Sequence, residues 1–376
     1  MVYPSCSEIT GSDWGQRLLS PIEGKRYPLS GSIDLTERCN LNCAHCYINQ
    51  PAGSKLAFKQ EMTTAQVLSV LDQIADAGTL FLMLTGGEIL LRPDFTQIYQ
   101  HAKQRGLILT LFTNATLIND DIAHILTIWP PTIIEISLYG ATAGTYEKIT
   151  GVKGSFNRCI SGIETLLACG LNVMLKSILV KANLHELPQM RALAEAYNVR
   201  FRYDATIWPR LDGNRAPYTN RLTVEEQLAL DQEDPERQQS WIEVAEKSSS
   251  QFVRSKFIFN CGAGFRSFHI DSTGNLNMCI MLRKPAYNIL EMGFNEAWEK
   301  LGLERLRERH LGTKCETCSM GALCAQCPGW SQVVHGDLET PVNFICELAQ
   351  ERAKLFKFHG KIHNNEERII YAPKNL

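Results

Sequence analysis

Ser32-Ile33-Asp34-Leu35-Thr36, and after it Cys39-Asn40-Leu41-Asn42-Cys43-Ala44-His45-Cys46-Tyr47, is the stretch that organises the rest of the chain. Residues 32–36 read as a strand, so the loop carrying three cysteines sits at that strand's carboxyl end. The cysteines stand at offsets of four and three, and no fourth cysteine lies near. A cubane iron–sulfur cluster takes four ligands, usually thiolates, so three in one loop leave one iron open. Open metal positions carry chemistry, whereas closed ones are structural. A Cys3His zinc site completed by His45 is the competing reading of the same loop.

The chain has 376 residues, enough for two domains and for a core that needs no disulfide staples. Its 44% hydrophobic and 21% charged residues are ordinary for a globular protein. A net charge of −2 gives no electrostatic case for nucleic acid or an anionic membrane surface. No signal-like opening and no membrane-length apolar run is present, so the expected setting is soluble and cytoplasmic. Thirteen cysteines in such a setting point to metal rather than disulfides. Three lie at 39–46 and seven between 261 and 346, with Cys6, Cys159 and Cys169 apart, which suggests two separated metal-binding clusters.

Residues 1–30 read as an extension that packs on a neighbour. From 31 to 206 short apolar runs alternate with helical patterns. The expected strands are 32–36, 80–85, 107–112, 132–138, 172–180 and 199–203, and the expected helices lie near 64–77, 94–105, 119–128, 155–169 and 185–197. Thr64 is the predicted N-cap of the first helix, and Gly78 and Gly106 mark helix ends. Six strands alternating with helices predict parallel βαβ units and a partial (β/α)6 barrel of TIM type, whose sites lie at strand carboxyl ends. Residues 207–256 read as a solvated helical bridge, 257–360 as a small α+β domain, and 361–376 as a tail. Phe268–Cys279 predicts a β-hairpin about a Gly-Asn turn, and 344–358 a closing helix. Cys159 and Cys169, on a predicted helix, read as small core residues.

Other motifs fall at strand ends. Leu84-Thr85-Gly86-Gly87-Glu88 ends the second strand, where paired glycines permit close approach to a ligand and a carboxylate can accept from an ammonium group. Thr113-Asn114-Ala115 ends the third, Ser137-Leu138-Tyr139-Gly140 the fourth, and Lys176-Ser177 lies in the fifth. Each alone is an ordinary strand terminus. Together, over about 30–205, they resemble the radical S-adenosylmethionine (SAM) enzymes. That resemblance implies an α/β partial barrel with a [4Fe-4S] cluster on Cys39, Cys43 and Cys46. It implies SAM contacts at Gly86, Gly87 and Glu88 for the methionine amino group, and at Asn114, Ser137 and Lys176 for ribose and carboxylate. His45 takes the position of an adenine-contacting aromatic, flanked by Tyr47.

The second set reads Cys261-x12-Gly274-x4-Cys279, then Cys315-x2-Cys318-x5-Cys324-x2-Cys327, then Cys346. Paired CxxC units also suit zinc ribbons, but seven cysteines fit two zinc sites poorly and the five-residue gap is short. The pattern, with Tyr287-Asn288-Ile289-Leu290 and Glu296-Ala297-Trp298, is similar to the SPASM extension of radical SAM enzymes over about 257–357. The resemblance implies two auxiliary clusters, on Cys261, Cys279 and Cys327, and on Cys315, Cys318, Cys324 and Cys346. The first is one protein ligand short. Its fourth position is open to substrate, filled by another residue type, or filled by Cys6. Many members of the family have three residues, not two, between the positions matching Cys324 and Cys327.

The implied chemistry is reductive cleavage of SAM to a 5′-deoxyadenosyl radical that takes hydrogen from an unactivated carbon. Proteins with this domain pair act mainly on peptides or protein side chains, which implies a ribosomally made precursor peptide that is cross-linked, or from which a fragment is excised. A sulfatase-type formylglycine maturase ranks lower, because that group has an acidic residue after the second SPASM cysteine and here Ile280 follows Cys279. A radical SAM dehydrogenase of a small alcohol is a further alternative, and a non-catalytic iron–sulfur electron carrier ranks last. Tyr203 and Asp204, ending the sixth strand, are candidate proton acceptors or substrate contacts. About thirty residues precede the first strand, too few for a leader-recognition domain, so either a separate small leader-binding protein or the barrel's own surface is expected to hold the leader. A flavodoxin- or ferredoxin-type electron donor completes the expected partners.

Overall fold

The computed structural model describes residues 20–48, 50–248, 255–310, 312–316 and 318–358. Cys6 and the expected tail from 361 lie outside them. Six parallel strands, β1 (Ser30–Thr36), β2 (Phe81–Gly86), β3 (Ile108–Thr113), β4 (Ile133–Ser137), β5 (Val173–Ile178) and β6 (Arg200–Asp204), neighbour one another in chain order. That order is the winding of a barrel. Alternation along each strand separates two faces. Ile33, Leu35, Leu82, Leu84, Leu109, Leu111, Ile134 and Ile136 are buried against the helices.

The helices are α1 (Lys55–Gln60), α2 (Thr64–Asp76), α3 (Phe95–Gln104), α4 (Asp120–Ile128), α5 (Ala143–Thr150), α6 (Ser155–Ala168) and α7 (Leu187–Ala196). In α2 the buried residues Val67, Val70, Leu71 and Ile74 follow the spacing of one helical face. Each contributes about 1.5–3 kcal/mol by leaving water. Its N-cap is Thr63, not Thr64: Thr63 and Gln66 cap each other reciprocally, while the Thr64 hydroxyl donates to Asp94 Oδ2 at 2.5 Å. Two short helices escape the sequence reading, α1 and α5. Cys159 is buried in α6, but Cys169 is exposed at its C-cap and is not a core residue.

Beyond residue 206 come α8 (Val224–Glu233), α9 (Pro235–Ser248), β7 (Ser267–Ile270), β8 (Asn275–Asn277), β9 (Tyr287–Asn288), α10 (Phe294–Glu304), α11 (Pro328–His335) and α12 (Asn343–Leu355). The expected hairpin is β7–β8, with Leu276 opposite Ile270 and Asn277 opposite His269. Its turn closes on Asp271 Oδ1, which accepts from the Thr273 and Asn275 amides, both at 3.0 Å. What the sequence does not announce is that β7 also pairs in parallel with the free edge of β1. The second half thereby extends the barrel sheet to nine strands. Gly31 permits this, because a Cβ there would stand 2.4 Å from the Phe268 ring.

The helical bridge is not a solvated linker. Gln227, Leu230 and Asp231 of α8 are buried, and Asp231 receives both Arg237 and Arg352. Charged composition concealed a helix whose polar residues pair inward. The segment before β1 packs on the second half, where the Arg26 guanidinium lies over the Trp298 ring and Nε donates to Gly264 O at 2.8 Å.

Candidate active site

At the carboxyl ends of the strands lies a cavity of about 430 Å³. The cysteine loop forms one wall. Its backbone is fixed by α5, since the Asn42 and Ala44 amides donate to Thr150 O and Ile149 O at 2.8 and 2.9 Å. From the other side, Asn114 Nδ2 donates to Asn40 Oδ1 at 2.9 Å and stands 3.8 Å from Cys39 Sγ. Burial pushes the Cys39 thiol up to about 12, with the Leu41 amide opposing and the nearby Glu88 and Cys46 adding. Burial, reinforced by Cys46 and Cys39, raises Cys43 well above its ordinary value. Buried mutually repelling thiols become thiolates only when a cation compensates them. Among the described residues no three His, Cys, Asp or Glu side chains converge as the ligands of one metal ion would. A cluster engages each thiolate through a different iron and needs no such convergence. Three buried thiols in one loop fit such a cluster.

Gly86 and Gly87 line the cavity and pack their backbone on the end of β1. A Cβ on Gly86 would lie 2.1 Å from Thr36 O, and one on Gly87 2.2 Å from Arg38 O. Gly87 N and Glu88 N donate to those two carbonyls at 2.7 and 2.9 Å. Glu88 departs from expectation. It is fully buried and does not line the cavity. Its carboxylate accepts from Thr113 Oγ1 and the Asn114 amide, both at 2.8 Å, and from the Leu90 amide at 3.1 Å. Glu88 therefore joins the ends of β2 and β3, and what a ligand can reach in this motif is the glycine backbone.

Asn114, Ser137 and Lys176 all line the cavity with His45 and Tyr47. The Asn114 amide is occupied in holding the loop, and its Oδ1 accepts from Thr116 N at 2.9 Å. Ser137 shares a hydrogen bond with the Tyr139 hydroxyl. His45 packs edge-on against Tyr139, with ring centroids 4.6 Å apart. Burial alone lowers its pKa to about 4, so the ring is neutral. Lys176 lies over the Phe112 ring, with Nζ 3.7 Å from Glu135 Oε2. Burial lowers its pKa to about 7, Glu135 opposing and Arg202 assisting. Two buried polar atoms here, His45 Nδ1 and Ser177 Oγ, have no partner among the described residues. A cavity with orphaned polar atoms and a half-titrated cation suits a polar, carboxylate-bearing ligand such as SAM.

Tyr203 and Asp204 reach the same cavity. The Tyr203 hydroxyl donates to Asp234 Oδ2 at 2.7 Å, and burial plus that carboxylate raise its pKa, so it is not a base. Asp204 Oδ1 accepts from Thr206 N at 2.7 Å. Sequence reasoning gave no site role to Glu37, Arg202, Trp208 or Met281, which join Tyr139 and Ile280 on the walls. Ile280 and Met281 come from the second half, beside Cys279. Trp208 stacks on Trp330 at 3.7 Å and 10°.

The remaining cysteines fall into two electrostatic groups. Burial pushes Cys327 up to about 11, and the neighbouring thiols that add to it are Cys279 and Cys261. Burial likewise brings Cys324 to about 11, and there the neighbours are Cys346, Cys318 and Cys315. Cys315, Cys318, Cys324 and Cys327 line a second cavity of about 100 Å³.

Comparison with known proteins agrees with this geometry. The radical SAM superfamily model matches residues 33–194, and the SPASM iron–sulfur cluster-binding domain model matches 261–328. The AdoMet-dependent heme synthase of Methanosarcina barkeri is 29% identical over 81% of this chain and 92% of its own. The mycofactocin maturase MftC of Mycobacterium ulcerans is 27% identical over 80% and 83%. The crystal structure of Streptococcus suis SuiB bound to precursor peptide SuiA has the same fold, with a TM-score of 0.64 at 16% identity over 93% of this chain and 84% of that one. Among the described residues no helix is long and apolar enough to cross a membrane. The barrel half is a domain that binds SAM and a [4Fe-4S] cluster, and the second half one that binds auxiliary iron–sulfur clusters. Residues 33–194 thus form the radical SAM domain, and 261–328 the SPASM domain, of one radical SAM enzyme.

Proposed function

We propose that this enzyme modifies a residue of a ribosomally made precursor peptide, by cross-linking or by backbone excision. The observation that carries the reading is one cavity walled jointly by the cysteine loop, the Gly86–Gly87 backbone and, from the auxiliary half, Ile280 and Met281. A substrate held there meets both metal-binding regions. Cys39, Cys43 and Cys46 are the ligands of the first cluster. Cys261, Cys279 and Cys327 hold one auxiliary cluster, and Cys315, Cys318, Cys324 and Cys346 a second. When bound, cluster and SAM supply a carbon radical able to take a hydrogen atom from the substrate. Lys176 receives the SAM carboxylate, Gly86 and Gly87 present backbone acceptors to its amine, and His45 and Tyr47 flank the base. The apolar Ile280 and Met281 exclude water beside the reacting carbon. Ile280 also places no base after Cys279, against the formylglycine reading. The setting is the reducing cytoplasm, with a flavodoxin- or ferredoxin-type donor and a separate leader-binding protein.

A second reading, a heme precursor as substrate, is favoured by the relatives named heme synthase and by a second cation, Arg202, on the cavity wall. Anaerobic reconstitution with SAM and reductant decides both. The expected result is 5′-deoxyadenosine formation and a mass shift on a peptide encoded beside the gene. A mass shift on an iron porphyrin instead would replace the peptide reading, and no 5′-deoxyadenosine with either would refute both. Iron content should fall in Cys261→Ala and in Cys315→Ala, and unchanged iron in both would overturn the two auxiliary sets.

A further inference from the structure

No step above uses the buried charges that tie the two halves together. Asp34, on β1, is fully buried. Its Oδ2 accepts from Arg283 Nη2 at 2.8 Å, while Oδ1 has no partner among the described residues. His269, on β7, is also fully buried. Its Nε2 stands 3.3 Å from the same Oδ2 without hydrogen-bond alignment, and its Nδ1 lies 2.8 Å from Ser32 Oγ. A carboxylate taken wholly from water and given one aligned donor depends heavily on that donor.

Arg283 has a second attachment. Its Nε donates to Ile280 O at 2.8 Å. Ile280 and Met281 form the cavity wall, and the Met281 and Leu282 amides hydrogen-bond the Cys279 thiol. One planar guanidinium thus holds a barrel strand through Nη2 and the backbone of the Cys279 turn through Nε. The rigid fork of arginine does this, and a lysine ammonium cannot span both. Burial raises the Cys279 pKa, and the nearby Arg283 cation opposes that rise.

We propose that Arg283 is a positioning residue of the auxiliary centre: by bridging Asp34 and Ile280 O it fixes Cys279 against the barrel and sets the potential of the cluster that Cys279 ligates. The proposal rests on the assignment of Cys279 given above. Charges and hydrogen bonds around the ligands of a cluster set its reduction potential. A nearby cation favours the reduced state, so its removal moves the midpoint to more negative values. The carboxylate left behind moves it further.

The test is an anaerobic redox titration followed by electron paramagnetic resonance on the reconstituted full chain. Cys39→Ala, Cys43→Ala and Cys46→Ala are combined so that only auxiliary iron reports. Cys279→Ala first identifies which signal depends on that residue. In Arg283→Met this signal should shift to more negative potential and broaden. In Asp34→Asn/Arg283→Met, which leaves no unpaired charge, the shift should be smaller. Arg283→Lys should stay nearest the parent in potential yet still broaden. Selective loss of the Cys279-dependent signal in the Arg283→Met chains, with the other signal retained, supports the same role. An unshifted, unbroadened Cys279-dependent signal in both Arg283→Met chains overturns the proposal. If no signal depends on Cys279, the ligand assignment fails instead, and the proposal with it.

Discussion

If Lys176 receives the SAM carboxylate, SAM binding must be linked to protonation of that lysine. In the ligand-free protein burial lowers its pKa from 10.5 to about 7. A carboxylate arriving beside Nζ favours the charged form and moves the pKa back up. The sign follows. Below pH 7 the lysine is already charged and binding takes up no proton, while above it each binding event takes up nearly one. If only the charged form binds, affinity falls about 50-fold between about pH 7 and about pH 9, or roughly 2.3 kcal/mol. The same depression works on the fold. Between about 7 and 10.5 the unfolded chain holds a proton that the folded one does not, so ligand-free stability rises with pH across that window. Isothermal titration calorimetry on the reconstituted protein, in buffers of different ionisation enthalpy, counts the protons. Titration of SAM itself is common to wild type and Lys176→Met, so their difference isolates the lysine. The variant should bind SAM about 10- to 100-fold more weakly at neutral pH, the loss of one charged hydrogen bond. Equal proton uptake in both proteins, or wild-type affinity independent of pH, would refute the reasoning.

Three further perturbations probe the supporting shell. Glu88→Gln turns an amide toward buried donors at Thr113, Asn114 and Leu90, and should cost about 2–3 kcal/mol in chemical unfolding and lower iron retention in the cysteine loop. Gly87→Ala would press a methyl to 2.2 Å from Arg38 O and should abolish SAM binding, whereas Gly144→Ala, with nothing within 4 Å, should preserve it. Tyr203→Phe removes only the bond to Asp234, at about 1 kcal/mol, and should leave 5′-deoxyadenosine formation at the wild-type rate; a collapse in that rate would restore Tyr203 as a proton acceptor.

The barrel strands were legible because buried parallel strands write themselves as short apolar runs, and their observed limits fall within about two residues of expectation. Helices α1 and α5 were not, since neither is long enough to show a clear apolar period. Thiol spacing marked the cysteine loop as a metal site, but it left cluster and Cys3His zinc both open until the strand-end motifs were added. Glu88 shows the limit of motif reading: its position in the chain suggests a ligand acceptor, and only the three-dimensional approach of Thr113 and Asn114 reveals what its carboxylate holds. Trp208 and Met281 carry no local signal, because what brings them into the cavity is the packing of distant segments. The same holds for Asp34 and Arg283, which read as an ordinary strand residue and a loop cation until β7 docks on β1.

That docking has a consequence for synthesis. β1 leaves the ribosome early, but Ser267–Ile270, the strand that fills its second edge, follows only after the whole barrel has been made. At ordinary translation rates the interval is on the order of tens of seconds. Throughout it, Ile33 and Leu35 belong to a strand with an unfilled row of backbone donors and acceptors, the kind of edge that recruits foreign strands. Splitting the gene between the two halves would make that exposure permanent. Two families by sequence, the halves share one nine-stranded sheet, and recombinant production should keep the chain whole.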